Sequence, residues 1–283
     1  MSRVGACFDR LRADDRRGFV AYLTAGDPDL VTSRELVVEA WRRGADVIEL
    51  GVPWSDPSAD GPAIQAAMQR ALGAGGSFRA TLRLCEGVRR ESEVPIVLFG
   101  YYNPVFVYGV DAAARDARNA GADAFLVVDL PPEEAGEVTP ALAAQGLDLV
   151  PLVSPESDEA RMERAAALAT GFVYYVSMTG VTGASLPPLD DVRARLGRLR
   201  TRTRVPVAVG FGVRTPAQAG ALAQVADGVV VGSALVQAIA GAATPAAAVT
   251  AVGTLCADLA DAVHAVRTPA GTPPGGPVAG PGG

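Results

Sequence analysis

Short apolar runs recur along the chain at intervals that leave room for one helix between neighbours. They are Phe19 to Leu23, Val47 to Leu50, Ile96 to Phe99, Ala124 to Val128, Leu149 to Val153, Phe172 to Val176, Val207 to Val209 and Gly228 to Val231. Each run is nearly continuous rather than alternating, as expected of parallel strands covered on both faces. Each is followed by a loop with Gly, Pro, Asp or Thr and then by an Ala/Arg/Leu-rich helical stretch. Asp27-Pro28 and Thr215-Pro216 read as helix starts, a capping residue followed by Pro at the first helical position. Eight such β–α units predict one α/β domain, a TIM (β/α)8 barrel with extra helices, over residues 1–266. The alternative is a doubly wound open sheet, which usually has fewer strands and a glycine-rich first turn; no G-x-G-x-x-G follows the first run.

The spacing is uneven in one place. The second and third runs lie nearly twice as far apart as most neighbours, and the excess holds the Pro53–Pro62 loop and two helical stretches, Ala63 to Leu72 and Phe78 to Arg90. A long loop in a compact domain is usually functional, and this one follows the C-terminal end of a strand, where barrel active sites lie.

Composition changes this picture only at its margins. Of 283 residues 49% are hydrophobic, enough for a large core, and the net charge of −6 without a basic cluster argues against nucleic acid or an anionic membrane as partner. Cys7, Cys85 and Cys256 have no metal-ligand spacing and read as thiols of a reducing cytoplasm. No metal site is expected. No signal peptide or long uncharged apolar run is evident. Residues 267–283 are almost all Pro, Gly, Ala and Thr, a composition that predicts a disordered tail.

Candidate chemistry concentrates at the ends of the runs. Glu49 lies inside an apolar strand, and facing inward it would be desolvated, with a raised pKa suited to acid–base work near neutrality. It could equally be paired with an arginine or point outward. Asp60, in Ala-Asp-Gly-Pro, is either a second catalytic carboxylate or the cap of the next helix. Asp56 before Pro57 reads as turn chemistry. The lone histidine, His264, sits in no motif, which leaves proton transfer to carboxylates. Gly180-Val-Thr-Gly183, Gly210-Phe-Gly212 and Gly232-Ser233 follow the last three strands in order. Glycines there, with a helix N-terminus after the last, suit a phosphate bound by backbone N–H groups and the Ser233 hydroxyl. Tyr22, Phe99, Tyr174, Tyr175 and Phe211 are strand-end aromatics, either core filler or walls for an apolar ring. Tyr101-Tyr-Asn103-Pro104 reads as a loop with a surface contact or a plain turn.

Taken together, these segments resemble the tryptophan synthase α-subunit family. The resemblance is carried by Tyr22 to Pro28, Glu49 to Pro57, Ala59 to Pro62, Gly100 to Pro104, Phe172 to Ser177, Gly180 to Gly183, Gly210 to Gly212 and Gly232 to Ala234, in family order over residues 8 to 265. It implies a retro-aldol lyase that cleaves indole-3-glycerol phosphate to indole and glyceraldehyde 3-phosphate, without a cofactor in this chain. Glu49 would be the general acid/base and Asp60 the partner of the indole N–H. Tyr22, Phe99, Leu126, Tyr174, Phe211 and Thr182 would surround indole and glycerol, with Thr182 in a closing loop; Gly183, Gly212, Gly232 and Ser233 would hold phosphate. The implied partner is a pyridoxal-phosphate β subunit in an α2β2 heterotetramer, docked through Pro53, Asp56, Tyr101 and Asn103. Ser185 departs from the arginine many relatives carry there. A stand-alone lyase releasing free indole and a non-catalytic regulatory subunit remain alternatives.

Overall fold

The computed structural model describes residues 2–176, 188–210 and 212–267. After α1 (Arg3–Ala13) come β1 (Gly18–Thr24), α2 (Leu30–Arg42), β2 (Val47–Gly51), α3 (Pro62–Gly73), α4 (Phe78–Arg89), β3 (Ile96–Gly100), α5 (Tyr102–Tyr108), α6 (Val110–Ala120) and β4 (Ala124–Val127). A 3-10 turn (Pro132–Glu137) leads to α7 (Thr139–Ala144), β5 (Asp148–Leu149), β6 (Leu152–Val153), α8 (Glu159–Leu168), β7 (Val173–Val176), α9 (Leu189–Arg200) and β8 (Val207–Gly210). The described residues end with α10 (Pro216–Ala223), β9 (Gly228–Val231), α11 (Ser233–Ala240) and α12 (Pro245–His264).

All strand pairs are parallel, in the order β5-β4-β3-β2-β1-β9-β8-β7-β6. The two ends of that order are halves of one run of chain. Asp148–Leu149 pairs with β4 and Leu152–Val153 with β7, so the segment expected as the fifth strand closes the sheet into a barrel. It divides because Pro151, between the halves, has no N–H to donate to a ladder; its carbonyl still accepts from the Tyr174 N–H at 3.0 Å.

Side-chain parity then divides the core in two. One set, including Ala21, Leu23, Ile48, Leu50, Ile96 and Leu98, packs outward under the helices. The alternate set, including Val20, Tyr22, Val47, Val97, Phe99, Leu126, Phe172, Tyr174 and Val230, fills the barrel. Helix α1 closes the N-terminal end: Val4, Cys7, Phe8 and Leu11 join the inner set, and Phe8 meets Phe172 with ring centroids 5.7 Å apart. Helix α12 is long and apolar enough by composition to cross a membrane, but packs on α2, α10, α11 and β1.

One local expectation is corrected. The helix after β1 starts at Leu30, capped by Asp29, whose carboxylate accepts from the Val31 and Thr32 N–H groups. Asp27 is not available to cap: it is fully buried and held in a two-point ion pair with Arg70 of α3, at 2.7 and 2.8 Å. The Thr215-Pro216 start is observed, as a capping box with Gln218. Arg267, assigned to the tail, donates to the Asp14 and Asp15 carbonyls; the rest of that segment, 268–283, lies outside the described residues.

Candidate active site

Glu49 sits mid-strand in β2 between Val47 and Gly51, with register partners Tyr22 on β1 and Val97 on β3. Both partners belong to the inner set, so its side chain enters the barrel. It is 1% exposed, makes no ion pair among the described residues, and its Oε1 is buried without a hydrogen-bond partner. Burial pushes its pKa up to about 8. The bland readings, an arginine-paired or an outward carboxylate, are both excluded. A sealed carboxyl group aimed into a barrel is costly for stability, which makes it a candidate for chemistry.

Asp60 lies in the loop between β2 and α3. The α3 cap is Gly61, with no side-chain cap bond, so Asp60 does not serve the helix. Its Oδ2 instead accepts from the Tyr101 hydroxyl at 2.7 Å, and the same hydroxyl accepts from the Ala59 N–H at 3.0 Å. Burial raises Asp60 to about 6, and the Tyr101 hydrogen bond works against that rise. Desolvation raises the phenols of Tyr22 and Tyr174 well above their usual range, and the charges of Glu49 and Asp60 push both further. Those two tyrosines therefore sense both carboxylates, and the four groups share one site.

The walls are built by exclusion. Tyr22 and Phe99 meet edge to face at 5.1 Å, and Leu126 and Tyr174 belong to the same inner cluster. The Tyr22 hydroxyl lies 3.3 Å from the Thr24 hydroxyl and occupies space that only a glycine at 51 leaves open: a Cβ there would come within 2.3 Å of it. Gly210 does the same for Tyr174, at 2.2 Å. Gly232 packs on the Tyr22 ring, where a Cβ would lie 3.2 Å from it. Gly212 adopts φ +78°, which favours glycine. Gly232 caps α11 without a side-chain bond, and Ser233 is the first residue of that helix, so its first N–H groups face outward from the end of β9. Thr182, Gly183 and Phe211 lie outside the described residues, as does Ser185.

Tyr101 departs from its expected place. It is 2% exposed and reaches inward to Asp60, while the three residues after it enter α5 rather than a loop. Inner-face parity would have placed it, since it follows the inward Phe99 by two positions. Pro53 is also buried; Asp56 and Asn103 are exposed.

A (β/α)8 barrel with a sealed carboxyl inside, a second carboxylate held on a loop and glycine-lined strand ends has the architecture of a barrel enzyme. The sequence model of one family, tryptophan synthase alpha chain, matches residues 8–264, and the chain belongs to that family. Alpha chains from Geotalea uraniireducens and Geobacter sp. strain M21 are 51% and 52% identical to it over 237 residues, covering 84% of this chain and 89% of each relative. The solved tryptophan synthase subunit alpha of Legionella pneumophila superposes with a TM-score of 0.85 at 36% identity, covering 93% of this chain and 98% of that one. A chain in the Mycobacterium tuberculosis tryptophan synthase structure superposes with a TM-score of 0.86 at 39% identity, over 93% and 98%.

Proposed function

We propose that this chain is the α-subunit lyase of tryptophan biosynthesis and cleaves indole-3-glycerol phosphate with Glu49 and Asp60. The observation that carries the residue assignment is the sealed, unpartnered Glu49 carboxyl, raised to about 8, in the same site as an Asp60 that Tyr101 holds from behind. Neutral at pH 7, Glu49 gives its proton to indole C3, and the ring becomes an indoleninium cation. Asp60, at about 6 and mostly ionised, accepts the indole N–H bond and stabilises that charge. The Glu49 carboxylate then takes the proton of the hydroxyl on the adjacent carbon. The C–C bond breaks toward the ring, the carbinol carbon becomes the aldehyde of glyceraldehyde 3-phosphate, and Glu49 is again protonated. The ring itself is the electron sink.

Tyr22, Phe99, Leu126 and Tyr174 wall the indole. Gly212, Gly232 and Ser233, with the free N–H groups that open α11, take the phosphate, supported by the helix dipole. Phe211 and Thr182 are assigned to the indole and glycerol set, and Gly183 to the phosphate set, by family likeness alone. The indole passes to a β subunit that carries pyridoxal phosphate.

Glu49→Gln keeps shape and removes the proton. Steady-state lyase assays should show kcat lower by about 10²–10⁴-fold with an unchanged circular dichroism spectrum; an active Glu49→Gln enzyme overturns the assignment.

A further inference from the structure

The end of the barrel that α1 closes holds a second feature, unrelated to the lyase chemistry. A cavity of about 500 Å³ opens between the start of α1, the α6–α7 face and the first residues of β5. That volume lies within the range of small-molecule sites. Its floor is Asp148, which shares register with the inward Ala124 and stands over Gly171, where a Cβ would come within 3.2 Å of it. Asp148 is 9% exposed; its Oδ2 is sealed from solvent with no hydrogen-bond partner, and its Oδ1, likewise without a hydrogen bond to any described residue, is the oxygen left open to the cavity. A buried carboxylate with neither oxygen given a donor is destabilising, and few are left so in folded proteins.

The nearby cations do not relieve it. Arg3, in the same lining, spends its guanidinium on Glu93 at 2.8 Å and Asp123 at 3.0 Å. Arg118, exposed at the rim, makes no hydrogen bond or ion pair with any described residue. Leu142, Leu149 and Leu168 form the apolar wall between them. The cavity therefore presents a recessed acceptor, a free guanidinium and an apolar side, three features that match the three parts of an apolar α-amino acid. We propose that it binds such an amino acid as the zwitterion, its ammonium on Asp148, its carboxylate on Arg118 and its side chain against the leucines. The site is at the opposite barrel end from the loop that carries Asp60, so its occupant does not compete with the lyase substrate.

Calorimetric titration of the full chain with L-phenylalanine, phenethylamine and 3-phenylpropionate tests each charge in turn. L-phenylalanine should bind, and the ammonium-only and carboxylate-only probes should each bind at least about ten-fold more weakly, a difference of about 1.4 kcal/mol. Asp148→Asn and Arg118→Ala should each weaken L-phenylalanine binding to a similar degree, and Ala143→Phe, at the exposed rim, should block it; kcat and KM of the lyase stay unchanged in all three. If Asp148→Asn does not fold, the two surface variants decide. No binding of L-phenylalanine, binding that survives Arg118→Ala and Ala143→Phe, or binding competed by the lyase substrate overturns the proposal.

Discussion

At the scale of single residues, Glu49 and Asp60 differ in what their surroundings do to a proton. Burial alone acts on Glu49, whereas Asp60 has a phenol donor that opposes its burial. On the proposed roles the free enzyme needs Glu49 protonated and Asp60 ionised, so kcat/KM should rise through about pH 6, fall through about pH 8 and be highest between. Tyr101→Phe removes the donor from Asp60 and the acceptor of the Ala59 N–H; its acid limb should move to higher pH, with about 1.5–3 kcal/mol of charged hydrogen bond lost. A limb that stays put would show that Tyr101 does not set Asp60. Glu49 also leaves a mark on stability. Its folded pKa lies above the ordinary 4.5, so the native state holds the proton more tightly, and stability present below about pH 4.5 is lost as pH rises to about 8. Glu49→Gln has no such slope. Unfolding free energies from denaturant titration should therefore nearly coincide for the two proteins at about pH 4.5 and separate by a few kcal/mol in favour of the variant at about pH 8.5. Glu49 stood out in the sequence as an acid in an apolar run, but its direction and pairing stayed open until the register with Tyr22 and Val97 turned it inward. Asp60 was ambiguous until Gly61 proved to be the α3 cap, and Tyr101 was misplaced because its partner lies 41 positions away in sequence.

At the scale of elements, the eight apolar runs translated into strands with ends shifted by a residue or so, since a strand buried on both faces leaves a continuous signature. The division of the fifth run was legible only as Pro151, whose effect depends on which neighbours need a donor. The false helix start at Asp27 came from reading a local motif where a long-range ion pair with Arg70 governs. Gly51 and Gly210 serve a packing role: each strand end yields its side-chain space to a tyrosine from a neighbouring strand. Gly51→Ala should displace the Tyr22 ring and destabilise by about 1–3 kcal/mol through overpacking. Tyr22→Phe removes the hydroxyl that the new methyl meets first. The double variant should then recover part of the lost stability in urea denaturation and part of the lyase activity; strict additivity of the two changes would sink this account of Gly51.

At the scale of the whole molecule, the barrel separates two tasks. Its N-terminal end is packed by α1 for stability, and its C-terminal end carries the Asp60 loop and the glycine-bearing strand ends to which the chemistry is assigned. On that C-terminal side the surface is unusual in one stretch: Phe106 and Val107 of α5 are 62% and 76% exposed, beside the exposed Asn103. Large apolar side chains grouped on one short helix suit a protein partner. The helix is also mechanically close to the site, because its cap residue, Tyr101, is the one whose hydroxyl holds Asp60. A β subunit seated on α5 would therefore bias the arrangement of the Asp60 loop through a single intervening residue, and the coupling should be reciprocal for binding. With β added, substrate affinity of the wild-type chain should rise about 5–150-fold, the range of common coupling energies of about 1–3 kcal/mol, and lyase turnover should rise with it. The double change Phe106→Ser and Val107→Asp touches nothing in the site: unaided lyase activity should be unchanged, while β affinity and stimulation fall together. Tyr101→Phe should behave differently, keeping β affinity and losing most of the stimulation. Measured side by side by calorimetry and lyase assay, equal stimulation of all three proteins would remove α5 and Tyr101 from the path between partner and site.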